Sequence, residues 1–446
     1  MGVAQNPSDA ACETHSPVTE ASVSNSGLYQ PVGDIRQAGR EGNHVSHSAY
    51  ATRVERIRTS PSLAAAARAR ELSAAGRDVL DLTLGEPDFD TPHHIKDAAI
   101  AAIEAGQTKY TAVNGTPELR RAIIGHVFRR TGIGYGDAEV SVSGGAKQVI
   151  HLALAATLDR GDEVIIPAPY WVSYPDMVLA NDGKPVIVPC PATDGFLLTP
   201  GALDAAIGPR TRWVMLNTPG NPTGAVYSAE QLRALADVLL SHPHVRILTD
   251  EIYDAIYFGP DELRSIVSVE PGLADRIVVV NGVSKAYAMT GWRIGYAVGP
   301  AGLIAAMNKL QGQISTCPSS ISQAAAVAAL EGDQSPVHDM VKAYRRRRDL
   351  TVELVRTVPG LTVVPPAAAF YLFPHCGELL GRRTRDGEVL RTDEDVVLYL
   401  LDAAGVATVH GAAYGLSPHF RISFATSEEV LTDAVTRIAV AVADLR

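Results

Sequence analysis

One lysine stands where a buried strand is predicted to end. Residues 276–280 form a largely β-branched run, which is followed by Asn281-Gly282-Val283-Ser284-Lys285. Ligands of open α/β sheets bind at the carboxyl ends of the strands, so Lys285 is well placed for chemistry. Its amine can form an imine with an aldehyde if burial or a nearby cation lowers its pKa and leaves a neutral fraction. The alternative is a solvated lysine of a surface loop.

A carboxylate and a phenol follow another predicted strand. Residues 245–249 lead directly into Asp250, and Tyr253 comes three residues later. Beside a reactive lysine, this pair suits pyridoxal 5'-phosphate. A carboxylate keeps the pyridine nitrogen of this cofactor protonated, so that the ring draws electrons from the α-carbon of a substrate. The phenol of Tyr253 can bind the ring oxygen, whereas the alternative for Asp250 is an ordinary helix cap.

A loop rich in Pro, Gly and Asn follows a third predicted strand, residues 212–216. It reads Asn217-Thr218-Pro219-Gly220-Asn221-Pro222-Thr223-Gly224. An Asn-Pro bond can be cis at modest cost, which would turn Asn221 inward to donate to the ring oxygen. The alternative is a plain turn.

Small residues open an apolar helix after the alternating run 139–142. The segment Ser143-Gly144-Gly145-Ala146-Lys147 lets the backbone approach an anion, and a helix N-terminus offers unpaired N–H groups to a phosphate. The spacing is not that of a P-loop. This helix N-terminus is therefore a candidate binding site for a phosphate group.

Two aromatic residues and two arginines complete the candidate set. Trp171 could stack on a pyridine ring and Tyr110 could reach a ligand, although core packing is the alternative for both. Arg421 lies in the otherwise apolar run Phe420-Arg421-Ile422-Ser423-Phe424. A buried guanidinium is costly unless it meets a carboxylate, and its bidentate geometry suits the α-carboxylate of an amino acid. Arg293 is the second arginine.

The elements that must position these residues alternate along the chain. A helix is predicted at 62–75 and a short strand at 78–84, and from about residue 94 helical patterns alternate with β-branched runs at 163–167, 212–216, 245–249, 276–280 and 294–298. This alternation predicts an α/β fold with a mostly parallel central sheet. A basic helix at 344–355 and strands at 361–364, 369–373 and 420–424 predict a smaller α+β domain. We therefore expect a disordered extension at 1–50, a large domain at 94–333 that binds the cofactor, and a small domain formed by 51–93 and 334–446.

Composition excludes several classes of function. Among 446 residues the formal net charge is −10, which disfavours nucleic acid as a partner. No apolar run approaches the roughly 20 residues that span a bilayer, and the N-terminus lacks the pattern of an export signal. Cys12, Cys190, Cys317 and Cys376 are too scattered for a disulfide framework or a metal site. We expect a cytoplasmic protein whose partners are small molecules.

Taken in order, these motifs resemble those of the class I aminotransferases of pyridoxal phosphate fold type I, and among them the bacterial aspartate aminotransferase subgroup. The resemblance covers about residue 52 to the C-terminus. It rests on Leu84-Gly85-Glu86-Pro87-Asp88-Phe89-Asp90-Thr91-Pro92, Tyr170-Trp171-Val172-Ser173-Tyr174-Pro175, Asn221-Pro222-Thr223-Gly224, Asp250-Glu251-Ile252-Tyr253, the segment from Ser284-Lys285 to Gly295-Tyr296, and Arg421-Ile422-Ser423. The first 50 residues match nothing in the family core.

The resemblance implies a role for each candidate. Lys285 would hold pyridoxal 5'-phosphate as a Schiff base and act as the catalytic base, with Asp250 and Tyr253 as further catalytic groups. The remaining cofactor contacts would be Asn221, Trp171, Arg293, Gly145, Ala146 and, from the neighbouring subunit of a homodimer with active sites at its interface, Tyr110. The substrate would meet Arg421, Gly85, Trp171 and Asn221. Lys147 resembles the lysine proposed for the distal carboxylate in the thermophilic subgroup, and the alternative is a lysine on the surface of a helix. Gly282 stands where some family members place a phosphate-binding serine.

The implied reaction moves an amino group from an L-amino acid to a 2-oxo acid with ping-pong kinetics, and aspartate with 2-oxoglutarate is the first expectation. Aromatic amino acids or alanine are alternative donors. A lyase, a cyclopropane-forming synthase or an oxidase could share the fold and the cofactor. A transcriptional regulator with an aminotransferase-like domain is disfavoured, because the N-terminal extension is too short for a winged helix and lacks a basic recognition helix.

Overall fold

The central sheet of the protein has seven strands in the order β2-β8-β7-β6-β5-β3-β4. This computed structural model describes residues 50–59 and 61–446, so the predicted disordered extension lies outside the described residues except for Tyr50. Strands β3 to β7 pair in parallel, whereas β8 runs antiparallel to both of its neighbours, β7 and β2. The predicted α/β fold with a mostly parallel sheet is confirmed.

The described strands are β1 (Leu80–Asp81), β2 (Val140–Ser143), β3 (Glu163–Ala168), β4 (Lys184–Pro189), β5 (Thr211–Asn217), β6 (Arg246–Asp250), β7 (Ile277–Gly282), β8 (Gly295–Val298), β9 (Tyr371–Leu372), β10 (Val406–Ala407), β11 (Val409–His410) and β12 (Phe420–Ser423). The described helices are α1 (Thr52–Glu55), α2 (Pro61–Ala74), α3 (His93–Glu104), α4 (Pro117–Thr131), α5 (Ala146–Ala155), α6 (Tyr174–Ala180), α7 (Pro200–Ala206), α8 (Ala229–Leu240), α9 (Ile266–Val269), α10 (Ala301–Ile314), α11 (Ser320–Glu331), α12 (Ser335–Arg356), α13 (Asp393–Ala404) and α14 (Glu428–Ala443).

Alternate residues of the central strands pack into two different apolar clusters. On β7, Val278 and Val280 join the cluster that contains helix α5, while Ile277 and Val279 join the one that contains α8. Successive side chains of a strand point to opposite faces, so a sheet whose two faces are both covered by helices needs apolar residues at every position. This is why continuous β-branched runs, rather than alternating ones, marked the central strands in the sequence.

The loop that carries Lys285 is closed at both ends within the sheet. Strands β7 and β8 are antiparallel neighbours, and Gly282 and Gly295 are partners in their register. At Gly282, a Cβ would lie 2.8 Å from the carbonyl oxygen of Ile294, so a side chain there would collide with the backbone of the other arm. The absence of a side chain at Gly282 therefore permits the close approach of the two ends of this loop.

Two small sheets use the remaining strands. β1 pairs in parallel with β10, and β12 lies between β11 and β9 in an antiparallel sheet. The predicted strand at 78–84 is shorter than expected, since only Leu80–Asp81 pairs as a strand. The position of the boundary between the large and the small domain stays a prediction.

The predicted strand at 361–364 is wrong. Within this segment Thr362 alone forms a bridge, to His375, through backbone hydrogen bonds of 3.2 and 2.8 Å. Pro365 and Pro366 follow directly, and proline has no N–H to donate to a ladder. Apolar residues at these positions pack against the core without belonging to a strand, as Leu361 and Val363 do.

No helix in the part of the chain that the structure describes is long and apolar enough to cross a membrane.

Candidate active site

Three parallel strands deliver their following loops to one edge of the sheet. Asn217 at the end of β5 is the register partner of Asp250 at the end of β6, and Asp250 pairs in turn with Val280 of β7. The loops beyond these strands bring Asn221, Tyr253 and Lys285 to a common cavity of about 300 Å³. The cavity also receives Gly85, Ala146, Lys147, Trp171, Asp250, Arg293 and Arg421, so most of the residues selected from the sequence lie together.

Lys285 is partly buried where it lines the cavity. Its Nζ donates a hydrogen bond to the backbone oxygen of Gly85. Burial lowers the pKa of Lys285 to about 8; the carboxylate of Glu86 opposes this shift, and the charge of Arg421 adds to it. Near neutral pH the lysine therefore keeps a neutral fraction, which is the form that attacks an aldehyde.

The carboxylate of Asp250 is buried and bound by a tyrosine that sequence reasoning missed. The hydroxyl of Tyr174 donates to Oδ2 of Asp250 at 2.6 Å, and the N–H of Ile252 donates to Oδ1 at 3.3 Å. Burial raises the pKa of Asp250 to about 6, while these hydrogen bonds lower it. Tyr174 lies in the motif 170–175, but a buried aromatic residue in a helix gives no sign of whether it packs or binds.

A pair of tyrosines forms another wall of the cavity. The hydroxyl oxygens of Tyr253 and Tyr371 are 2.9 Å apart, and both side chains are buried. Burial raises the pKa of Tyr371 to about 12, so its hydroxyl stays protonated. A Cβ at Gly85 would lie 2.9 Å from this hydroxyl, which explains why a residue without a side chain lies opposite it. The sequence pattern predicts Tyr371 only as part of a strand, with no role at the site.

Arg421 lies on β12 with its guanidinium facing the cavity. It donates from Nη1 to Oδ1 of Asn221 at 3.1 Å and from Nη2 to the backbone oxygen of Thr83 at 2.5 Å. Its Nε is buried and, within the described residues, has no hydrogen-bond partner. Its Cζ lies 4.4 Å from the ring centre of Tyr371. A buried guanidinium without a carboxylate partner is suited to an anionic ligand.

The N-terminus of α5 and Arg293 lie side by side. Arg293 donates to the backbone oxygens of Thr290 at 2.8 Å and Gly144 at 3.3 Å. Gly145 caps the helix with a φ of 98°, and a Cβ there would clash with the Arg293 guanidinium. The glycine thus permits close approach of a cation to free helical N–H groups, a combination that binds phosphate.

Trp171 and Lys147 form the side of the cavity nearest to α5. The ring of Trp171 lies edge-on to that of Tyr174, with 5.4 Å between the ring centres. Lys147 places its Nζ 4.7 Å from the centre of the Trp171 ring. Partial burial, with a contribution from Arg293, lowers the pKa of Lys147. Lys147 as a whole is exposed, but its ammonium lies over the aromatic face at the cavity.

One predicted residue does not line the cavity, and two residues that were not predicted do. Tyr110 is 87% exposed and does not line the cavity of its own chain. Leu63 and Ala66 of α2 line the cavity, although no pattern in that helix indicates a role at the site. The Asn221-Pro222 bond is cis, as the sequence analysis allowed.

The donor set of the cavity matches a phosphorylated pyridine aldehyde better than a metal ion. Within the described part of the chain no cluster of three or more His, Cys, Asp or Glu side chains could hold a metal. The cavity instead combines an amine with a neutral fraction, a buried carboxylate, a phosphate-type site and a guanidinium with an unpaired Nε.

Comparison with known proteins identifies relatives over most of the chain. The family profile described as "Aminotransferase class I and II" matches residues 77–438. An aspartate aminotransferase of Rhizobium meliloti (strain 1021) is 52% identical over 391 residues, which cover 88% of this chain and 95% of that protein. An aspartate/prephenate aminotransferase of Cereibacter sphaeroides is 51% identical, with coverage of 86% and 96%. The solved structure of Thermus thermophilus aspartate aminotransferase with maleate superposes with a TM-score of 0.83 at 40% identity, covering 89% of this chain and all of that one.

Proposed function

We propose that this chain, which belongs to the class I and II aminotransferases and is a transaminase, takes L-aspartate as its amino donor and 2-oxoglutarate as its acceptor. The observation that carries the proposal is the convergence of Lys285, Asp250 and Arg421 on one cavity from three separate strands. Members of this family depend in general on pyridoxal phosphate.

The residues of the cavity fit pyridoxal 5'-phosphate. Lys285 would bind its aldehyde carbon and Asp250 its pyridine nitrogen, while Asn221 and Tyr253 would donate to its ring oxygen. Trp171 would stack on the ring, and Arg293 with the N-terminus of α5 at Gly145 and Ala146 would hold the phosphate. When bound, the cofactor supplies an aldehyde that condenses with amines and a ring that withdraws electrons from the substrate's α-carbon.

Proton transfer would fall to two of these side chains. Asp250, as a carboxylate, would hold the proton on the ring nitrogen. The neutral Nζ of Lys285, which its lowered pKa supplies, would be the base for the proton on the substrate's α-carbon. Since the first product leaves before the second substrate binds, we expect ping-pong kinetics.

Two cations would select the substrate. Arg421 would bind the α-carboxylate through its unpaired Nε, supported by the backbone at Gly85. Lys147, whose Nζ lies over Trp171, would bind the second carboxylate of aspartate. The dicarboxylate maleate in the Thermus thermophilus structure supports this choice of substrate class.

A second candidate acceptor is prephenate. The name of the Cereibacter sphaeroides relative includes it, and prephenate carries both a 2-oxo acid and a further carboxylate. The same pair of cations, Arg421 and Lys147, would therefore suit it. The aromatic wall formed by Trp171 would accept its ring.

The protein would act as a cytoplasmic homodimer. Tyr110 is 87% exposed and absent from the cavity of its own chain, as required if it binds the cofactor phosphate of the neighbouring subunit. Mixing inactive Lys285→Ala and Tyr110→Ala subunits should then restore one intact site per hybrid dimer and recover activity. Failure of every mixture, despite hybrids seen on a sizing column, would contradict a shared site.

The decisive experiment follows the cofactor absorbance through single half-reactions. Aspartate should convert the bound aldehyde form to a stable amine form, and 2-oxoglutarate should restore it, while Lys285→Ala should show no pH-dependent shift of the absorbance. A panel of twenty amino acids and several 2-oxo acids, prephenate included, ranks the substrates. Release of ammonia without a recoverable amine form would indicate a lyase and overturn the proposal, as would a fully active Lys285→Ala variant.

A further inference from the structure

A buried cluster of charged and polar side chains lies behind the active-site loops and takes no part in the proposed chemistry. Its centre is Asp254, whose Oδ2 pairs with Nη1 of Arg130 and accepts a hydrogen bond of 2.6 Å from Nδ2 of Asn281. We call Arg130, Asp254 and Asn281 the strand-end clamp. None of the three lines the cavity that contains Lys285.

The clamp joins the two segments that carry the reacting groups. Asp254 follows Tyr253 directly and lies four residues after Asp250, while Asn281 lies on β7 four residues before Lys285. Oδ1 of Asn281 also accepts from the N–H of Gly282 at 2.7 Å, so this side chain is held from both ends. The third member, Arg130, comes from the end of helix α4, which packs on the sheet from a distant part of the chain.

A neighbouring carboxylate extends the network. Oε2 of Glu251 lies 3.9 Å from Nη2 of Arg130, and its Oε1 accepts from the hydroxyls of Ser265 at 2.5 Å and Thr249 at 3.1 Å. Burial raises the pKa of Glu251 to about 7, and the Arg130 charge opposes that shift. The loop between Asp250 and Asp254 is thus tied down through both of its acidic residues.

A buried cluster of charged side chains contributes little net stability to a fold. The side chains of Asp254 and Glu251 are each 4% exposed and that of Arg130 is 21% exposed. Replacing buried ion pairs with apolar residues is often neutral or stabilising, because the desolvation of the charges offsets their attraction. The cluster instead provides directional hydrogen bonds and ion pairs at the ends of β6 and β7.

We propose that Arg130, Asp254 and Asn281 are positioning residues that fix the separation of Asp250 and Lys285 across the neighbouring ends of β6 and β7. This inference rests on the proposed roles of those two residues. Small misplacements are enough to matter, since a shift of about 1 Å in a reacting group can cost on the order of 100-fold in rate.

The test compares two ion pairs of the same helix. Arg120, also on α4, pairs with Asp137 at 2.7 Å, away from the cavity. Asp254→Asn and Asp137→Asn therefore each remove one carboxylate partner of an α4 arginine. In the cofactor-loaded enzyme, Asp254→Asn should lower kcat at least tenfold with KM changed less than threefold, and should alter the visible absorbance and circular dichroism of bound cofactor. Asp137→Asn should leave kcat, KM and both spectra as in the wild type.

Further variants separate positioning from folding. If Asp254→Asn fails to fold, Asn281→Ser removes only the amide contact and should show the same spectral change with a smaller loss of kcat. Arg130→Lys should recover part of the kcat that Arg130→Met loses. A lowered melting temperature with wild-type kcat and spectra in both Asp254→Asn and Asn281→Ser would overturn the inference. Should wild-type protein fail to bind pyridoxal 5'-phosphate through Lys285, the proposed function fails instead, which the Lys285→Ala control shows directly.

Discussion

The hydrogen bond from Tyr174 to Asp250 gives a prediction whose size follows from its geometry. At 2.6 Å between buried groups, this contact stabilises the carboxylate form of Asp250. A hydrogen bond to a charged group is worth about 1.5 to 3 kcal/mol, and one pKa unit corresponds to about 1.4 kcal/mol. Tyr174→Phe should therefore raise the pKa of Asp250, which is already about 6, by roughly 1 or more.

The consequence is a displaced pH dependence of cofactor affinity. Only the ionised form of Asp250 can partner a protonated ring nitrogen. At pH 6 about half of the wild-type carboxyl groups and about one tenth of the variant's would be ionised, which predicts about fivefold weaker binding. Above pH 8 both proteins have ionised Asp250, so the two affinities should converge.

The assay is a titration of cofactor-free protein with pyridoxal 5'-phosphate between pH 5.5 and 8.5, followed by absorbance. Tyr227→Phe is the matched control, because the buried Tyr227 hydroxyl accepts from the N–H of Leu198 at 2.9 Å in a different apolar cluster. Its pH profile should equal that of the wild type. A Tyr174→Phe profile that is unchanged, or one lowered equally at every pH, would refute the reasoning, since the second result would indicate a packing role.

Three other substitutions test the remaining contacts. The pKa of Asp250 in the folded protein, about 6, lies above its unfolded value. Its contribution to stability is therefore complete below about pH 4 and is lost as pH rises through 6. The free energy of unfolding of cofactor-free Asp250→Asn should exceed that of the wild type by up to about 3 kcal/mol at pH 8 and by little at pH 4. Thermal denaturation across this range checks it, and an equal or lower stability at pH 8 would contradict it. Arg421→Lys should raise KM for aspartate by about 10-fold or more, because an ammonium cannot reproduce bidentate binding, whereas a loss confined to kcat would argue against carboxylate binding. Lys147→Met should lower kcat/KM for aspartate by about 10-fold relative to alanine, a charge-assisted contact being worth about 1.5 kcal/mol or more, and equal losses for both substrates would exclude a role at the distal carboxylate.

The site residues that could be predicted are those that adjacent residues in the sequence identify. Lys285 and Asp250 each follow an apolar run long enough to predict a buried strand, so their positions at strand ends followed from local pattern. The glycine pair before α5 was likewise recognisable from the adjacent sequence alone. By contrast, the partners Tyr174 and Tyr371 look like any core aromatic, because side-chain type does not distinguish a packed hydroxyl from a bound one.

Contacts between distant segments account for most of what was missed. Asp254 and Arg130 are far apart in the chain, and nothing in either segment indicates the other. The same holds for β1, whose pairing with β10 limits it to two residues. The wrong strand at 361–364 could have been avoided from the sequence, because Pro365 and Pro366 directly after it cannot continue a hydrogen-bonded ladder.

The antiparallel strand β8 has a consequence for how such a site can diverge. Because the register pair Gly282 and Gly295 closes the loop that contains Lys285 and Arg293, both proposed cofactor contacts belong to one short hairpin. The amine for the aldehyde end and the cation for the phosphate end are therefore spaced by a single segment, independently of the twist of the rest of the sheet. Strands β3 and β4 lie at the other end of the sheet from β7 and β8, so we expect substitutions there to leave the spacing of Lys285 and Arg293 unchanged.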